Sequence, residues 1–544
     1  MCGIVGICGQ QNAESGLRML RRLTHRGPDG QGAVALPTAW LGHRRLSIVD
    51  PRGGRQPLTS EDGRLHLVGN GEIYNYDDIR SMLGDVVLTS ASDNEVALNL
   101  VEANGPGALK ELAGMFAFLM AGESYSFIAA RDPVGIKPLY WAHRDDEWRF
   151  ASEINAFDAD WQSEVEFFPP GHYWTPEEGL VRFANPVPAE HAERFAPPES
   201  PDAEPPPELI HELRATVVAS VQRHMMADVP VGVFLSGGLD SSIVAAIAAE
   251  HYRERGETLK TFAVGSEGSA DLELARLVAD RLGTEHHERV FTAEEARDVL
   301  PKVVRIIESY DPSLVRSAVP NYFLSEMAVE TVKVVLTGEG ADELFAGYRY
   351  HSDIEDADLQ DEMVRGVETL HGLNLQRCDR VTMVHGLEAR VPFLDLDVIA
   401  LSLSIPSGWK LRSGDRPEKW LLRKAFEGMV PEEVLWREKA EFGDGSGAAM
   451  ALIDQTYGDD GSETDPGSAN STATNGSAGG GSAGNGSAGG GSAVNGSAGN
   501  GTSENGTADE PELRSEEEAA YYRIFRDHLG EVSPERTITL FATA

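Results

Sequence analysis

Cys2 follows the initiator methionine directly, and its small side chain suits removal of Met1. One residue would then carry a thiol and a free α-amine. An amine with an ordinary pKa near ~8 can accept the thiol proton, so nucleophile and base need no separate histidine. A second chemistry lies far along the chain, in Phe234-Leu235-Ser236-Gly237-Gly238-Leu239-Asp240-Ser241-Ser242. Glycines let backbone N–H groups approach phosphate oxygens, serine hydroxyls add donors, and the N-terminus of a following helix favours negative charge. No Gly-Lys-Ser/Thr follows, so this is not a Walker loop. Asp240 is an anion inside an anion site, which argues for Mg²⁺ shared with a triphosphate. Asp342, in Leu336-Thr337-Gly338-Glu339-Gly340-Ala341-Asp342-Glu343, is the candidate second carboxylate.

These groups need elements to hold them. The first ~180 residues carry short alternating or apolar segments between turn signals, among them Gly3–Gly9, Ala39–Val49, Leu65–Asn70, Met115–Met120 and Ser126–Arg131. Many short strands and few helices predict an α+β domain of stacked antiparallel sheets. Pro186–Glu208, dense in proline and acid, reads as a boundary. Beyond it, apolar strands at Val229–Leu235, Thr261–Val264 and Val332–Leu336 alternate with helical patterns at Ser242–Arg255 and Leu272–Leu282. That alternation predicts an α/β domain built on a parallel sheet, with binding loops at the carboxyl ends of its strands. Both Ser236-Gly237-Gly238 and Thr337-Gly338 sit at such ends. Residues 458–511 repeat Asn-Gly-Ser-Ala-Gly units that can bury no core and read as a flexible linker. Ser515–Leu529 then carries a helical apolar stripe of Tyr521, Tyr522, Ile524, Phe525 and Leu529, expected to pack back onto the second domain. The domains are therefore expected at 1–184 and 208–544, with a connector at 185–207 and an insertion at 458–511.

Composition bounds the possibilities. The 544 residues hold 87 acidic against 47 basic side chains, a formal charge of −40, with 41% hydrophobic residues. The apolar fraction excludes a wholly disordered chain, and so acidic a surface repels nucleic acid and anionic membrane. Removing 458–512 leaves 79 acids against 47 bases, so the charge belongs to the folded body. Only nine of the 47 basic residues are lysines. Self-repulsion on this scale is best tolerated in concentrated salt, where the Debye length falls to ~3 Å at 1 M, and a halophilic host is expected. No apolar run nears the ~20 residues of a membrane span, no signal peptide is evident, and three cysteines make no disulfide framework; a cytoplasmic protein is expected. Its oligomeric state stays open, a homodimer being one option.

Cys2-Gly3-Ile4, His25-Arg26-Gly27-Pro28-Asp29, Arg45-Leu46-Ser47-Ile48-Val49-Asp50 and Asn70-Gly71-Glu72-Ile73-Tyr74-Asn75 together resemble the class II, N-terminal-nucleophile glutamine amidotransferase domain. The resemblance covers about residues 1–180 and includes Arg131-Asp132 to Gly135 and Pro138-Leu139-Tyr140. It implies that Cys2 attacks the glutamine amide, forms a thioester and releases ammonia. Asn70 and Gly71 would form the oxyanion hole, Arg45 would pair with the glutamine carboxylate, and Glu72 and Asp93 would hold its amino group. Leu46, Ser47, Ile48 and Val49 would complete the glutamine site.

The Ser236–Ser241 loop resembles that of ATP pyrophosphatases. With Gly386-Leu387-Glu388-Ala389-Arg390-Val391-Pro392-Phe393-Leu394-Asp395 and Trp436-Arg437-Glu438-Lys439, the second half resembles glutamine-hydrolysing asparagine synthetases, through about 208–457 and again near 513. This implies adenylation of aspartate by ATP, then displacement of AMP by ammonia carried through an interior tunnel. Leu235, Ser236, Gly237, Gly238, Asp240, Ser241, Val264, Thr337 and Gly338 would hold ATP, and Asp240 and Asp342 Mg²⁺. Glu339 would assist the adenylate and ammonia steps, and Lys439 would neutralise charge on phosphorus. Glu388, Arg390 and Asp395 are candidates for selecting aspartate. Thr337 and Ala341 stand where serine is common in relatives, and the 458–511 insertion lies close to Lys439. The alternatives are a related amidotransferase adenylating another carboxylate, a β-lactam-forming synthetase, and a non-enzymatic homologue. Intact Cys2, Asn70 and Asp93 argue against the second, and intact Asp240, Glu339, Asp342 and Lys439 against the third.

Overall fold

The computed structural model describes residues 2–9, 12–84, 86–188, 193–200, 203–411, 416–437, 511 and 513–541. Lys439 and all of the 458–511 insertion but its last residue lie outside the described residues.

The amino-terminal half is two stacked six-stranded antiparallel sheets, as its alternating segments predict. In the first, Cys2–Cys8 runs between Ala39–Arg45 and Glu147–Ala151. Its side chains alternate with the period of two that a strand imposes. Ile4 and Cys8 face the second sheet, meeting Val68, Leu119, Phe127 and Trp174. Val5 and Ile7 face away, onto Met19, Leu20 and Leu23, contributed by the Ala13–Arg22 helix and the residue that ends it. Both faces of this strand are covered, so every residue of it is buried. The second sheet centres on Leu65–Ile73 paired with Gly114–Gly122, and Leu67, Phe116 and Phe118 cover Val96, Leu100 and Val101 of the Asn94–Asn104 helix. The Ala39–Val49 segment ends as a strand at Arg45, and residues 46–49 leave the sheet as a loop.

The second half is a five-stranded, wholly parallel sheet in the order Glu285–Phe291, Lys260–Ser266, Val231–Phe234, Val334–Leu336, Glu388–Arg390. Val233 and Leu336 point into the cluster with Ile243 and Ile247, whereas Phe234, Phe262 and Val335 point to the opposite face with Val315 and Phe323. Two of its strands escape hydrophobic patterning. Glu285-His286-His287-Glu288-Arg289 is polar because it forms the sheet's edge, and Glu388–Arg390 is a three-residue strand of charged and small residues. The expected late helix spans Glu516–His528, capped by Ser515, whose Oγ accepts from the Glu518 N–H at 3.1 Å. Tyr522 and Phe525 stand edge-on to Tyr310 at 5.0 and 5.4 Å, which seats the helix on the second half.

The halves are joined by buried charge. Arg26 donates to Asp379 at 2.7 and 3.0 Å in a forked pair and to Glu153 at 2.7 Å, and it is fully buried. Glu308, also fully buried, accepts from the Ile154 and Asn155 N–H groups at 3.1 and 2.6 Å and from Arg380 at 3.0 Å.

Candidate functional sites

Cys2 begins its strand opposite Arg45. Its backbone nitrogen donates to Asn70 Oδ1 at 2.7 Å, its carbonyl accepts from Arg26 Nε at 3.1 Å, and its sulfur lies 4.0 Å from the Leu46 carbonyl. Burial pushes the thiol's pKa up, so the sulfur is held as a thiol until a base takes its proton. The other end of the Asn70 amide is unusual: Nδ2 is buried and has no hydrogen-bond partner among the described residues. A buried orphan donor is costly, about 1–3 kcal/mol, unless something arrives to use it. Asn70-Gly71 does not make a hairpin turn; both lie within Leu65–Ile73. Gly71 adopts φ +154°, and a Cβ there would stand 2.0 Å from the Met115 carbonyl oxygen, so only glycine fits the close strand pairing.

Arg45 spends its guanidinium on backbone: NH1 donates to the Pro51 carbonyl at 3.1 Å, NH2 to those of Val49 and Asp50 at 3.3 and 2.7 Å. This curls the 46–51 loop around the arginine, placing Leu46 and Ile48 in the core and Ser47 on Asp29 through its N–H at 2.8 Å. Glu72 and Asp93 are both buried, and burial raises both pKa values; Glu388 and Asp93 add to the rise at Glu72. Asp93 accepts from the Ile73 N–H at 2.6 Å and Asn94 at 3.0 Å. A buried carboxylate pair of this kind favours a positive group between or beside it.

In the second half, Leu235, Ser236, Asp240, Ser241, Val264, Thr337, Gly338, Glu339 and Asp342 all line one cavity of about 330 Å³ at the carboxyl ends of the parallel strands. Ser236 and Ser241 hydroxyls meet at 3.0 Å, and the Ser236 hydroxyl also accepts from the Gly238 N–H at 3.3 Å, which sets the loop ahead of the Leu239–Glu254 helix. Gly237 takes φ +73° with the Ala275 nitrogen 2.7 Å from where a Cβ would be; Gly338 lets Asp240 approach its own Cβ position to 2.8 Å. The two loops thus touch through glycine. Gly237 and Gly238 shape the loop and are absent from the cavity wall.

Three residues with clear places here escaped sequence reasoning. Arg377 pairs with Glu339, whose carboxyl pKa burial still raises. Asp379, two residues on in the buried Asn374–Met383 helix, holds Arg26. Lys419 reaches both Asp240 and Asp342. Composition carried a signal for the last: in a chain of nine lysines, Lys137, Lys410 and Lys419 are buried, where an arginine-rich surface has no need of them. The three candidates for selecting aspartate lie outside the wall of this cavity. Glu388 and Arg390 pair at 2.6 Å and face Glu72, 3.5 Å from Arg390, while Asp395 caps the Leu396–Leu403 helix beside Arg223; none lines the cavity. Glu388–Arg390 is an edge strand, and Arg390 also donates to the His224 and Met226 carbonyls of its own half at 2.7 and 2.5 Å.

Fold and sites together define a glutamine-amidotransferase sandwich joined to a parallel-sheet domain with a glycine-bearing loop at a strand end. The family model for a glutamine amidotransferase domain matches residues 1–173, and that for asparagine synthase matches 212–358 and 354–459. Among curated proteins, glutamine-hydrolysing asparagine synthetase 2 of Arabidopsis thaliana is 40% identical over 82% of this chain and 79% of its own length. Asparagine synthetase 2 of Oryza sativa is 40% identical over 82% and 78%, and the probable enzyme of Schizosaccharomyces pombe 38% over 82% and 85%. The solved glutamine phosphoribosylpyrophosphate amidotransferase of B. subtilis overlaps at a TM-score of only 0.30, with 20% identity over 53% of this chain and 81% of that one. The chain belongs to the glutamine-hydrolysing asparagine synthetase family.

Proposed function

We propose that this protein converts aspartate to asparagine with glutamine as nitrogen donor and ATP as activator, releasing AMP and pyrophosphate. The observation that carries the reading is the convergence of nine residues from three separate strands of the parallel sheet on one cavity. The division at 1–184, 185–207 and 208–544 belongs to the same proposal.

In the first half, removal of Met1 turns the Cys2 nitrogen into an amine that takes the thiol proton. The sulfur attacks the glutamine amide carbon, and the negative oxygen that forms is met by Asn70 Nδ2, a donor already in place and otherwise unused, and by the Gly71 N–H. Each such donor is worth about 3–4 kcal/mol because the charge exists only in the tetrahedral state. Glu72 and Asp93 receive the substrate ammonium, and Arg45, with the loop it curls, receives the carboxylate.

In the second half, the Ser236–Ser241 loop takes the phosphates, while Leu235, Val264, Thr337 and Gly338 flank the nucleoside. Glu339, held by Arg377, stands at the wall where the acyl-adenylate and ammonia would meet, and Lys439 would neutralise phosphate charge. Asp240 and Asp342 converge on a single ammonium at 2.6 and 2.7 Å, so their oxygens already surround one cation position. Hard carboxylate oxygens fit Mg²⁺. No cluster of three or more metal-ligating side chains occurs among the described residues, so these two would hold the ion together with phosphate oxygens. When bound, it supplies positive charge to the leaving pyrophosphate. Ammonia, reactive only while unprotonated, would pass between the halves inside the protein.

Free thiols at Cys2, Cys8 and Cys378 support a reducing, cytoplasmic location. No helix among the described residues is long and apolar enough to cross a membrane. The dispersed acidity supports a halophilic host.

The test is product identification from glutamine, ATP, Mg²⁺ and aspartate in molar KCl. AMP, pyrophosphate and asparagine are expected. Cys2→Ala should lose glutamine-dependent synthesis and keep the ammonium-dependent reaction. ADP as product, or loss of both activities in the folded variant, would overturn the reading.

A further inference from the structure

Cys2 starts its strand, so once Met1 is gone the chain holds it from one side only, and chain ends fray unless they are tied down. Two side chains tie it: Asn70 Oδ1 accepts from its nitrogen at 2.7 Å, and Arg26 Nε donates to its carbonyl at 3.1 Å. The second tie depends on how the guanidinium is turned, and that is set from the other half of the molecule. Asp379 accepts from Nη1 and Nη2 of Arg26 at 2.7 and 3.0 Å, a fork that fixes the plane of the group as well as its place. Glu153 accepts from Nη1 alone at 2.7 Å and is shared with His25 at 3.0 Å. Asp379 also accepts from Arg380 at 3.2 Å. Arg26 and Asp379 are both buried, where breaking an ion pair on one side leaves a charge uncompensated.

Asp379 does not serve the cavity of its own half. A helix turns by about 100° per residue, so Arg377 and Asp379 stand about 200° apart around the Asn374–Met383 helix. Asn374, Arg377, Cys378, Val381 and Thr382 line the cavity, and Asp379 is absent from its wall. Resting on the reading of Cys2 as the nucleophile, we propose that Asp379 is a positioning residue for glutamine hydrolysis. The second half completes the first half's site: Asp379 orients Arg26, Arg26 holds the Cys2 carbonyl, and the sulfur is thereby held in place for attack.

The probe is 6-diazo-5-oxo-L-norleucine, a glutamine analogue that alkylates a nucleophilic thiol, applied to the full-length protein in molar KCl without ATP, with peptide mass mapping to locate the adduct. Glutamate release from glutamine is followed beside it, and ammonium-dependent synthesis reports on the second half. In wild type the adduct should fall on Cys2. D379N sets an amide N–H where a carboxylate oxygen accepted. It should slow alkylation at least tenfold and lower kcat for glutamine hydrolysis at least tenfold, with KM and ammonium-dependent synthesis within about threefold of wild type. R26K keeps the charge but loses the planar fork and should show the same split. The double variant should lose no more than about threefold beyond either single one, because both cut the same link. E308Q weakens another buried pair at the same boundary, Glu308 with Arg380, and should alkylate within about threefold of wild type. Less than a tenfold loss of alkylation in D379N would overturn the proposal. So would an equal fall in ammonium-dependent synthesis in both D379N and R26K, or an E308Q loss as large as that of D379N, since each marks Asp379 as structural. A wild-type protein that releases glutamate while Cys2 stays unmodified would overturn the nucleophile reading as well.

Discussion

Asn70→Ala separates chemistry from stability. The side chain does two things in the resting protein: Oδ1 accepts from the Cys2 nitrogen at 2.7 Å, and Nδ2 lies buried without a partner among the described residues. Losing the first contact costs about 1 kcal/mol, while removing an orphan buried donor returns about 1–3 kcal/mol. The two oppose each other, and the denaturation midpoint should move by no more than the equivalent of about 2 kcal/mol. In the tetrahedral state the same Nδ2 faces a full negative charge in a dry site. Its loss there should cost about 3–4 kcal/mol, a fall of ~10²–10³ in kcat for glutamine hydrolysis. Because the donor serves the transition state, KM for glutamine should change little. The assay is glutamate release, run beside ammonium-dependent synthesis, which should keep the wild-type rate. A folded Asn70→Ala protein with kcat within tenfold of wild type would refute the reasoning. So would an equal loss of the ammonium-dependent reaction.

Three further outcomes are expected. Asp379→Ala strips the forked partner from fully buried Arg26 and should cost about 3–5 kcal/mol in chemical denaturation; Arg26→Leu with Asp379→Leu together should cost clearly less than the two single changes added. Although burial opposes its charge, His25 is held above the ordinary imidazole range by Glu153 at 3.0 Å. A folded pKa above the unfolded ~6.5 gives stability that is complete below pH ~6.5 and disappears as pH rises through the folded value. His25→Gln should therefore destabilise more at pH 5.5 than at pH 9, and an effect independent of pH would contradict the pairing. With a charge of −40, the protein should lose helical signal and activity as KCl is diluted from molar to about 20 mM, where screening extends to tens of ångströms; indifference to salt would remove the case for a halophilic host.

Much of the molecule can be read before it folds. The short, largely apolar stretches at Gly3–Gly9 and Leu65–Asn70 announce buried strands because both of their faces are covered. The glycines of Ser236–Ser241 and of Thr337–Gly340 announce loops because backbone must pass close to backbone there. Local chemistry of that kind is written in adjacent residues. The edge strand Glu285–Phe291 is not legible, since an edge exposes polar side chains and loses its apolar period. Arg377, Asp379 and Lys419 are not legible either. Each is an ordinary charged residue in its own segment and acquires a role only from partners 38, 353 and 77 or more positions away.

Sequence by itself thus determined the two halves, their sheet types and the glycine-bearing loops at the strand ends, because periodicity and short-range turn geometry depend on neighbours along the chain. Tertiary structure alone decided which charges neutralise which: Arg26 with Asp379 across the halves, Arg377 with Glu339, Lys419 between Asp240 and Asp342. Coulomb attraction in a dry interior depends on distance in space and on burial, and neither is set until the sheets and helices have packed.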